Sequence, residues 1–253
     1  MRVRRFQVDD LSGPTARLVG QEAVHALRVL RLKVGDAVVL FDGLGNEAQA
    51  VIRATARDSL DVEILERSAS SPRNAPQLIL AVAVPKGERA DWLVERCAEL
   101  GISTIQPLHL ERSTVIPSDA KIARWRRKAV QAAKQAGHAA TMTIEPLKRL
   151  QEALTAIPLG THIWIAEPGK ATPLLSTVLA AISPAKRVGS SDLVFVGPEG
   201  GFAAAERTAI LAAGAKSVRL CTPILRVETA AVAAAVIWAA WAAQTPPSPE
   251  VPF

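Results

Sequence analysis

Hydrophobic and polar positions in the amino-terminal part of the chain follow a short, strand-like pattern. Apolar runs occur at 37–41, 48–54 and 60–65. The turn-forming pairs Asp42-Gly43 and Asp58-Ser59 separate these runs, and such a succession is typical of a small antiparallel barrel. One exposed helix is predicted over 21–29.

From residue 73 onward, strand-like and helix-like stretches alternate. The predicted elements are a strand at 78–84, a helix at 89–100, a strand at 104–108, a helix at 118–136, a strand at 162–166 and a helix from residue 173. Two further strands, at 193–196 and 217–220, are each followed by a loop and a helix. This alternation predicts an α/β domain built on a parallel sheet.

Breaks in the pattern suggest the domain boundaries. The Ser-rich stretch at 68–74 is the predicted linker, and the Pro-rich stretch at 245–252 is predicted to be disordered. We therefore predict a first domain at 1–72, a second domain at 73–245 and a flexible tail at 246–253.

Two loops after the last two predicted strands are the main functional feature. The first, 197–201, reads Gly-Pro-Glu-Gly-Gly, and the second contains Pro223. Glycine lets the backbone approach a ligand closely, and ligands of open α/β sheets bind at such strand ends. The first loop has neither the P-loop lysine nor the G-x-G-x-x-G spacing. Its carboxylate, Glu199, would repel a phosphate, so we expect a pocket for a neutral or cationic ligand.

Composition narrows the class of protein. The 253 residues carry a net charge of +6 and only two cysteines, Cys97 and Cys221, which lie far apart. They suggest neither a disulfide framework nor a metal site, and they fit a reducing cytosol. The first residues lack an apolar signal core, and the longest apolar run, 230–243, is too short to span a bilayer. We expect a soluble, cytoplasmic protein with no membrane and no metal.

The positive charge is concentrated in one region. Between Glu111 and Arg149, nine basic residues stand against three acidic ones, most of them on the predicted helix at 118–136. Such a helix attracts a phosphate backbone, although a solvated helix face has the same composition.

Two motifs of this chain resemble a known family. Val-Gly-Pro-Glu-Gly-Gly-Phe at 196–202 and Ile-Leu-Arg-Val-Glu-Thr-Ala at 224–230 are similar to the signature of the 16S ribosomal RNA uridine-N3 methyltransferases, the RsmE-like branch of the SPOUT superfamily. Shorter stretches at 5–8, 25–31 and 34–36 resemble that family's PUA-like barrel. Those at 85–89, 99–102 and 111–113 resemble the start of its catalytic domain.

The resemblance implies a fold and a reaction. The expected fold class is α/β, a SPOUT-type parallel sheet with a C-terminal trefoil knot, preceded by a small PUA-like β-barrel domain. In the knot, 224–229 would pass through the loop at 197–201. The expected activity is methylation of N3 of one uridine in 16S rRNA of the small ribosomal subunit, with S-adenosyl-L-methionine (SAM) as cofactor and a homodimer as the active form.

The two loops and the end of the strand at 162–166 supply the predicted cofactor contacts. The expected residues are Ala166, Glu167, Gly197, Pro198, Glu199, Gly200, Gly201, Leu220, Cys221, Thr222, Ile224, Leu225, Thr229 and Ala230. Glu167 is a candidate acceptor for ribose hydroxyls or a plain surface carboxylate. Thr229 is equally a candidate helix cap.

Arg226 and Glu228 are the predicted catalytic pair. A uridine N3 must lose its proton before or as it attacks, and Arg226 can stabilise the negative charge that develops on the uracil oxygens. Glu228 or a water can take the proton. The alternative is an Arg–Glu pair that staples the final helix.

RNA contacts are expected from polar and basic residues in both domains. They are Arg28, Arg31, Lys86, Arg89, Arg112, Ser113, Arg126 and Arg127, for each of which an ordinary solvated side chain is the alternative. The target base must be unpaired or flipped, since its Watson–Crick edge is modified. Two other functions stay open: a non-catalytic RNA-binding protein, and a SPOUT methyltransferase that acts on a different RNA nucleotide.

Overall fold

The structure is a computed structural model that describes residues 4–69, 76–183 and 189–244. Most of the predicted linker at 68–74 and all of the predicted tail at 246–253 lie outside the described residues. The backbone divides into two units, the first formed by Met1–Pro72 with Ala133–Thr141 and the second by Arg73–Ala132 with Met142–Phe253. The first unit is therefore discontinuous in sequence.

The first unit contains a five-stranded sheet. Its strands are β1 (Arg4–Gln7), β2 (Thr15–Val19), β3 (Ala37–Phe41), β4 (Asn46–Thr55) and β5 (Ser59–Ala69), in the order β1-β3-β4-β5-β2. Strand β1 runs parallel to β3, whereas the other neighbours are antiparallel. The predicted antiparallel arrangement is confirmed for the runs at 37–41, 48–54 and 60–65 but is wrong for β1, because hydrophobic alternation indicates a strand but not its partner.

The predicted helix at 21–29 changes its winding halfway. An α-helix, α1 (Gly20–Val24), continues as a π-helix over His25–Val29, and Arg31 follows in the left-handed region with φ of 54°. Ala23 and Ala26 are fully buried and pack with the apolar side chains of the sheet. The exposed face of this segment carries Arg28 and Arg31.

The second unit contains a parallel sheet, which confirms the predicted α/β class. Its strands are β6 (Gln77–Ala83), β7 (Thr104–His109), β8 (Thr143–Ile144), β9 (Lys148–Arg149), β10 (His162–Ala166), β11 (Ser191–Val196) and β12 (Lys216–Val218). Their order is β12-β10-β11-β6-β7-β8, with β9 also paired to β7. The helices are α2 (Glu88–Glu99), α3 (Asp119–Ala136), α4 (Leu150–Thr155), α5 (Leu175–Ala180), α6 (Ala204–Ala212) and α7 (Val227–Ala242).

Both faces of the central strands are covered by helices, which explains their continuous apolar runs. On one face, Val194 and Val196 of β11 pack in a cluster with Ala231 and Trp238 of α7. On the other face, Phe195 of β11 belongs to a cluster that includes Ile210 of α6. Because β11 lies between β10 and β6, the loop that follows it is anchored by a strand that is buried from Asp192 to Val196.

A buried carboxylate joins this sheet to α7. Asp192 at the start of β11 has no exposed surface. Its Oδ1 accepts a hydrogen bond from Trp164 Nε1 at 2.8 Å, and its Oδ2 accepts one from Trp238 Nε1 at 3.1 Å. Two indole rings from β10 and α7 are thereby held on a single side chain, since a buried carboxylate needs donors to replace water.

Candidate functional site

A cavity of about 330 Å³ lies where β10 and β11 end, at residues Ala166 and Val196. It is lined by Ala166, Glu167, Pro168, Val196, Gly197, Pro198, Glu199, Gly200, Gly201, Phe202, Arg219, Leu220, Cys221, Pro223, Ile224, Leu225, Val227 and Ala230. All the residues predicted to contact a cofactor line it except Thr222 and Thr229. Thr229 does not cap α7 either, because the helix begins after Arg226.

The loop at 197–201 forms one wall of the cavity. Gly201 N–H donates to the Pro198 carbonyl at 2.8 Å, and Gly201 has a left-handed φ of 71°. A Cβ atom on Gly197 would lie 3.0 to 3.2 Å from ring atoms of Phe202. Glycine is therefore favoured at 197, where a Cβ atom would crowd the ring, and at 201 by the backbone conformation.

The chain from Arg219 to Leu225 forms the opposite wall. The predicted strand at 217–220 is shorter than expected, since β12 ends at Val218 and Arg219 pairs with Leu174 instead. Ile224 is 84% exposed although it lines the cavity. An apolar side chain so open to water offers surface that a ligand can cover.

Glu167 is held by three donors. Arg207 Nε donates to Oε1 at 2.6 Å and Arg207 Nη2 to Oε2 at 3.1 Å, while Ser217 Oγ donates to Oε2 at 2.8 Å. The hydrogen bond from Arg207 to Glu167 also raises the pKa of that guanidinium. A carboxylate has about four acceptor positions, so little capacity is left for ribose hydroxyls. The sequence did not predict Arg207 as the partner of Glu167, because the two residues are 40 positions apart.

Arg226 and Glu228 occupy different environments at the start of α7. Arg226 is exposed and precedes the first helical residue, whereas Glu228 is only 6% exposed. Glu228 Oε1 lies 3.6 Å from Arg89 Nη1, and Glu228 Oε2 is buried without a hydrogen-bond partner among the described residues. Arg89 Nη1 also lies 3.8 Å from Oε1 of Glu199 in the cavity wall. The ion-pair partner of Glu228 is thus Arg89 and not Arg226.

The predicted RNA-binding residues fall into two groups. The side chains of Arg28, Arg31, Lys86 and Arg127 are exposed and form no hydrogen bond or ion pair with another described residue. The other predicted RNA-binding residues contact protein groups, and Arg89 is the one described above. Arg126 Nε donates to the Ile144 carbonyl at 2.9 Å, and Ser113 Oγ accepts from Leu110 N–H at 2.9 Å. Arg112 Nη1 donates to the Gly200 carbonyl at 2.6 Å.

Two of the six basic side chains on α3 pair with carboxylates of α2. Arg124 pairs with Asp91 at 2.8 Å, and Lys128 pairs with Glu95. Trp125 Nε1 also donates to Asp91 Oδ1 at 2.7 Å. Burial raises the pKa of Asp91, but the hydrogen bonds from Trp125 and Arg124 outweigh it and leave that pKa below its usual value. Charge counting along the sequence missed this pairing, because the acidic partners lie 33 residues earlier.

Neither a membrane span nor a metal centre emerges from the described residues. In that part of the chain no helix has the length and apolarity to cross a bilayer. Within the same ranges, no three His, Cys, Asp or Glu side chains gather as metal ligands would.

Comparisons with known proteins place these features in a family context. Residues 72–239 match the family model described as RNA methyltransferase domain, and residues 18–65 match the RNA methyltransferase PUA domain. The chain is 32% identical to the ribosomal RNA small subunit methyltransferase E of Mycobacterium bovis, over 90% of this chain and 88% of that protein. It is 26% identical to the protein of the same name from Bacillus subtilis, over 86% of each.

A solved structure agrees with this. The chain superposes with a TM-score of 0.80 on the ribosomal RNA small subunit methyltransferase E of Neisseria gonorrhoeae bound to S-adenosyl methionine. The two chains are 27% identical, and the match covers 93% of this chain and 96% of the other.

Proposed function

This chain belongs to the RNA methyltransferase domain family, and on that premise we propose that it transfers a methyl group from SAM to N3 of one uridine in 16S rRNA of the small ribosomal subunit. The observation that carries the proposal is the cavity between the 197–201 loop and the 219–225 loop. Its relatives bear the name of small-subunit rRNA methyltransferases, and a cytoplasmic location follows from that substrate.

The residues around the cavity fit SAM. Leu220, Ile224 and Leu225 supply an apolar wall for an adenine ring, while backbone groups of the glycine loop supply donors and acceptors. Glu199, whose ion-pair contact with Arg89 is as long as 3.8 Å, adds negative charge, which suits a ligand with a sulfonium and an ammonium group. A volume of about 330 Å³ lies within the usual range for a small-molecule pocket.

SAM, when bound, supplies a methyl group activated by a positively charged sulfur. The work of the protein is to make N3 of uracil nucleophilic, since that nitrogen carries a proton at neutral pH. Arg226, which is exposed and lies in sequence between the cavity-lining residues Leu225 and Val227, stabilises the negative charge on the uracil oxygens. Glu228 or a water accepts the proton, and Glu228 is the carboxylate nearest in sequence to Arg226 at the start of α7.

RNA reaches this site through phosphate contacts. The side chains that support this role best are those without a protein partner among the described residues, namely Arg28, Arg31, Lys86 and Arg127. Phosphate contacts position an RNA, whereas the pocket itself selects the base. Because the N3 edge must be accessible, the substrate uridine is unpaired or flipped.

The active form is proposed to be a homodimer with a trefoil knot. Helix α7 is apolar on nearly all sides, and Val236, which is 47% exposed, leaves part of that surface uncovered. A helix of this kind is normally buried all round, so a second copy of the chain is the expected cover. The knot, in which 224–229 passes through the 197–201 loop, is supported by the joint participation of both segments in one cavity.

The decisive experiment uses small ribosomal subunits that lack N3-methyluridine. The protein and SAM are added, and reverse transcription of the 16S rRNA maps stops, because a methyl group on N3 blocks pairing. A single new SAM-dependent stop at a uridine is expected. A stop at another nucleotide would replace the proposed target, and the absence of both a stop and SAM binding would favour a non-catalytic RNA-binding protein.

The catalytic pair is tested by Arg226→Ala and Glu228→Gln. Each is expected to bind SAM within about twofold of the parent chain and to lower kcat by about a hundredfold or more, as loss of an oxyanion donor or a general base does. Arg226→Lys, which keeps the charge but not the planar fork, is expected to recover part of the rate. An unimpaired rate in Arg226→Ala would assign that arginine a structural role.

A further inference from the structure

The turn at 110–113, which follows β7, is fastened to the loop that forms the first cavity wall. The turn closes on itself, since Leu110 N–H donates to Ser113 Oγ and Ser113 N–H donates to the Leu110 carbonyl at 3.0 Å. Glu206 links this turn to the start of α6, which follows the 197–201 loop. Its Oε1 accepts from Glu111 N–H at 2.7 Å, and its Oε2 accepts from Ala203 N–H at 2.9 Å, at the start of α6.

Arg112 makes the contact nearest the cavity. Its Nη1 donates to the Gly200 carbonyl at 2.6 Å. Its aliphatic part lies over the same glycine, because a Cβ atom built on Gly200 would be 3.3 Å from Arg112 Cδ and 3.7 Å from Arg112 Cβ. Both the head and the stem of this side chain therefore touch a residue that lines the cavity.

A loop with three glycines in five residues has many conformations in the absence of such a contact. Only some of them present the wall that a cofactor needs, and the apparent affinity falls with the fraction of molecules that are competent to bind. A charge-assisted hydrogen bond to the Gly200 carbonyl selects one backbone conformation, and the Glu206 bridge holds the donor in place.

We propose that Arg112 is a positioning residue for the cofactor cavity, which fixes the 197–201 loop through Gly200. This role deepens the proposed function, since it takes SAM as the occupant of the cavity. It differs from the RNA contact expected from the sequence. An arginine that only binds RNA leaves SAM affinity unchanged when no RNA is present, whereas a positioning residue changes it.

The test is SAM binding to the full chain by isothermal titration calorimetry, with no RNA present. Arg112→Ala is expected to raise Kd for SAM about five- to tenfold, which is less than a buried charge-assisted hydrogen bond would contribute because Arg112 is exposed. Arg112→Lys keeps a donor, so its Kd for SAM is expected to lie between those of the parent chain and Arg112→Ala. The matched control is Arg57→Ala, an exposed arginine in the first unit with no hydrogen bond or ion pair to another described residue, which is expected to bind SAM as the parent does.

Kinetics on the ribosomal substrate separate positioning from a general loss of folded protein. Arg112→Ala is expected to raise KM for SAM by the same factor as Kd, while kcat at saturating SAM stays near that of the parent. A fall in kcat with unchanged KM, or SAM affinity equal to that of the parent, would overturn the role.

A double-mutant cycle with Gly200→Ala tests the contact itself. Gly200 does not have a positive φ, and a Cβ atom placed there would have only Arg112 atoms within 4 Å among the described residues. Gly200→Ala is therefore expected to weaken SAM binding in the parent chain, because Arg112 Cδ must shift by a few tenths of an ångström, and to have little further effect in Arg112→Ala. Strict additivity would contradict the contact. A parent chain that binds no SAM would overturn the proposed function, and this role with it, before any variant is compared.

Discussion

Asp192 offers the sharpest test of how the sheet is joined to α7. Two indole N–H groups, from Trp164 and Trp238, donate to a carboxylate that has no exposed surface. Replacing Asp192 by Leu leaves both donors buried without that acceptor. A hydrogen bond to a charged group contributes about 1.5–3 kcal/mol, so the expected loss in the free energy of unfolding is about 3–6 kcal/mol. This is a large part of the roughly 5–15 kcal/mol that stabilises a typical domain.

Asp192→Asn refines the test, because an amide offers one oxygen and one NH₂ group. One indole keeps its acceptor, and the other meets a second donor, so a loss of about 2–3 kcal/mol is expected. Trp238→Phe removes one of the two indole donors. In the Asp192→Asn background this change removes a conflict instead of a bond, so the double variant is expected to be more stable than the sum of the single losses predicts, by about 1–2 kcal/mol.

Urea denaturation followed by far-UV circular dichroism is the suitable assay, since the substitutions alter the tryptophan fluorescence directly. The unfolding free energies of the parent, both single variants and the double variant complete the cycle. Losses that add to within about 0.5 kcal/mol would refute the reasoning, because independent sites behave in that way. A loss below about 1 kcal/mol for Asp192→Leu would refute it too.

Two further predictions concern thiol reactivity and acid stability. Cys221 lines the cavity, whereas burial raises the pKa of the Cys97 thiol to about 12. Iodoacetamide is therefore expected to add one group to the native chain, at Cys221, and two groups after unfolding, and SAM is expected to slow the reaction of Cys221. Mass spectrometry that shows two adducts on the native chain would contradict this. Burial raises the pKa of Asp91, but hydrogen bonds from Trp125 and Arg124 leave it below 3.8. The contribution of Asp91 to stability is therefore present above about pH 4 and is lost as the pH falls through the lowered pKa. The free energy of unfolding in urea is expected to decline less steeply on acidification in Asp91→Asn than in the parent. An unchanged dependence on pH would count against the pairing.

The sequence indicates the position of the cavity well, because its walls are short loops with local patterns. Glycines at 197, 200 and 201 follow a continuous apolar strand, and the second loop follows the short strand β12. Strand ends of a parallel sheet meet at one edge, so the convergence of the two loops follows from topology alone. Of the cofactor contacts expected there, only Thr222 and Thr229 lie away from the cavity.

The sequence could not predict which charged side chains have a protein partner, because the partners lie far away along the chain. Arg89 and Arg112 have the appearance of RNA-binding residues in the sequence, yet the first approaches Glu228 and the second binds the Gly200 carbonyl. Glu167 likewise meets Arg207 of α6. Residue type and spacing predict a charge, but only the fold determines whether that charge already has a partner. The direction of β1 escaped prediction for a related reason, since strand pairing is a long-range property.

Because the first unit is discontinuous in sequence, part of it is synthesised after part of the second unit. Residues 133–141 belong to the first unit, and Lys134 pairs there with Glu22 at 2.6 Å. The Thr141 amide also donates to the Gly43 carbonyl at 2.9 Å. Residues 73–132 of the second unit are therefore synthesised before the first unit receives its last contacts. During translation, the amino-terminal unit cannot be finished first, and β6 can pair with β7 but must wait for its other sheet neighbour, β11.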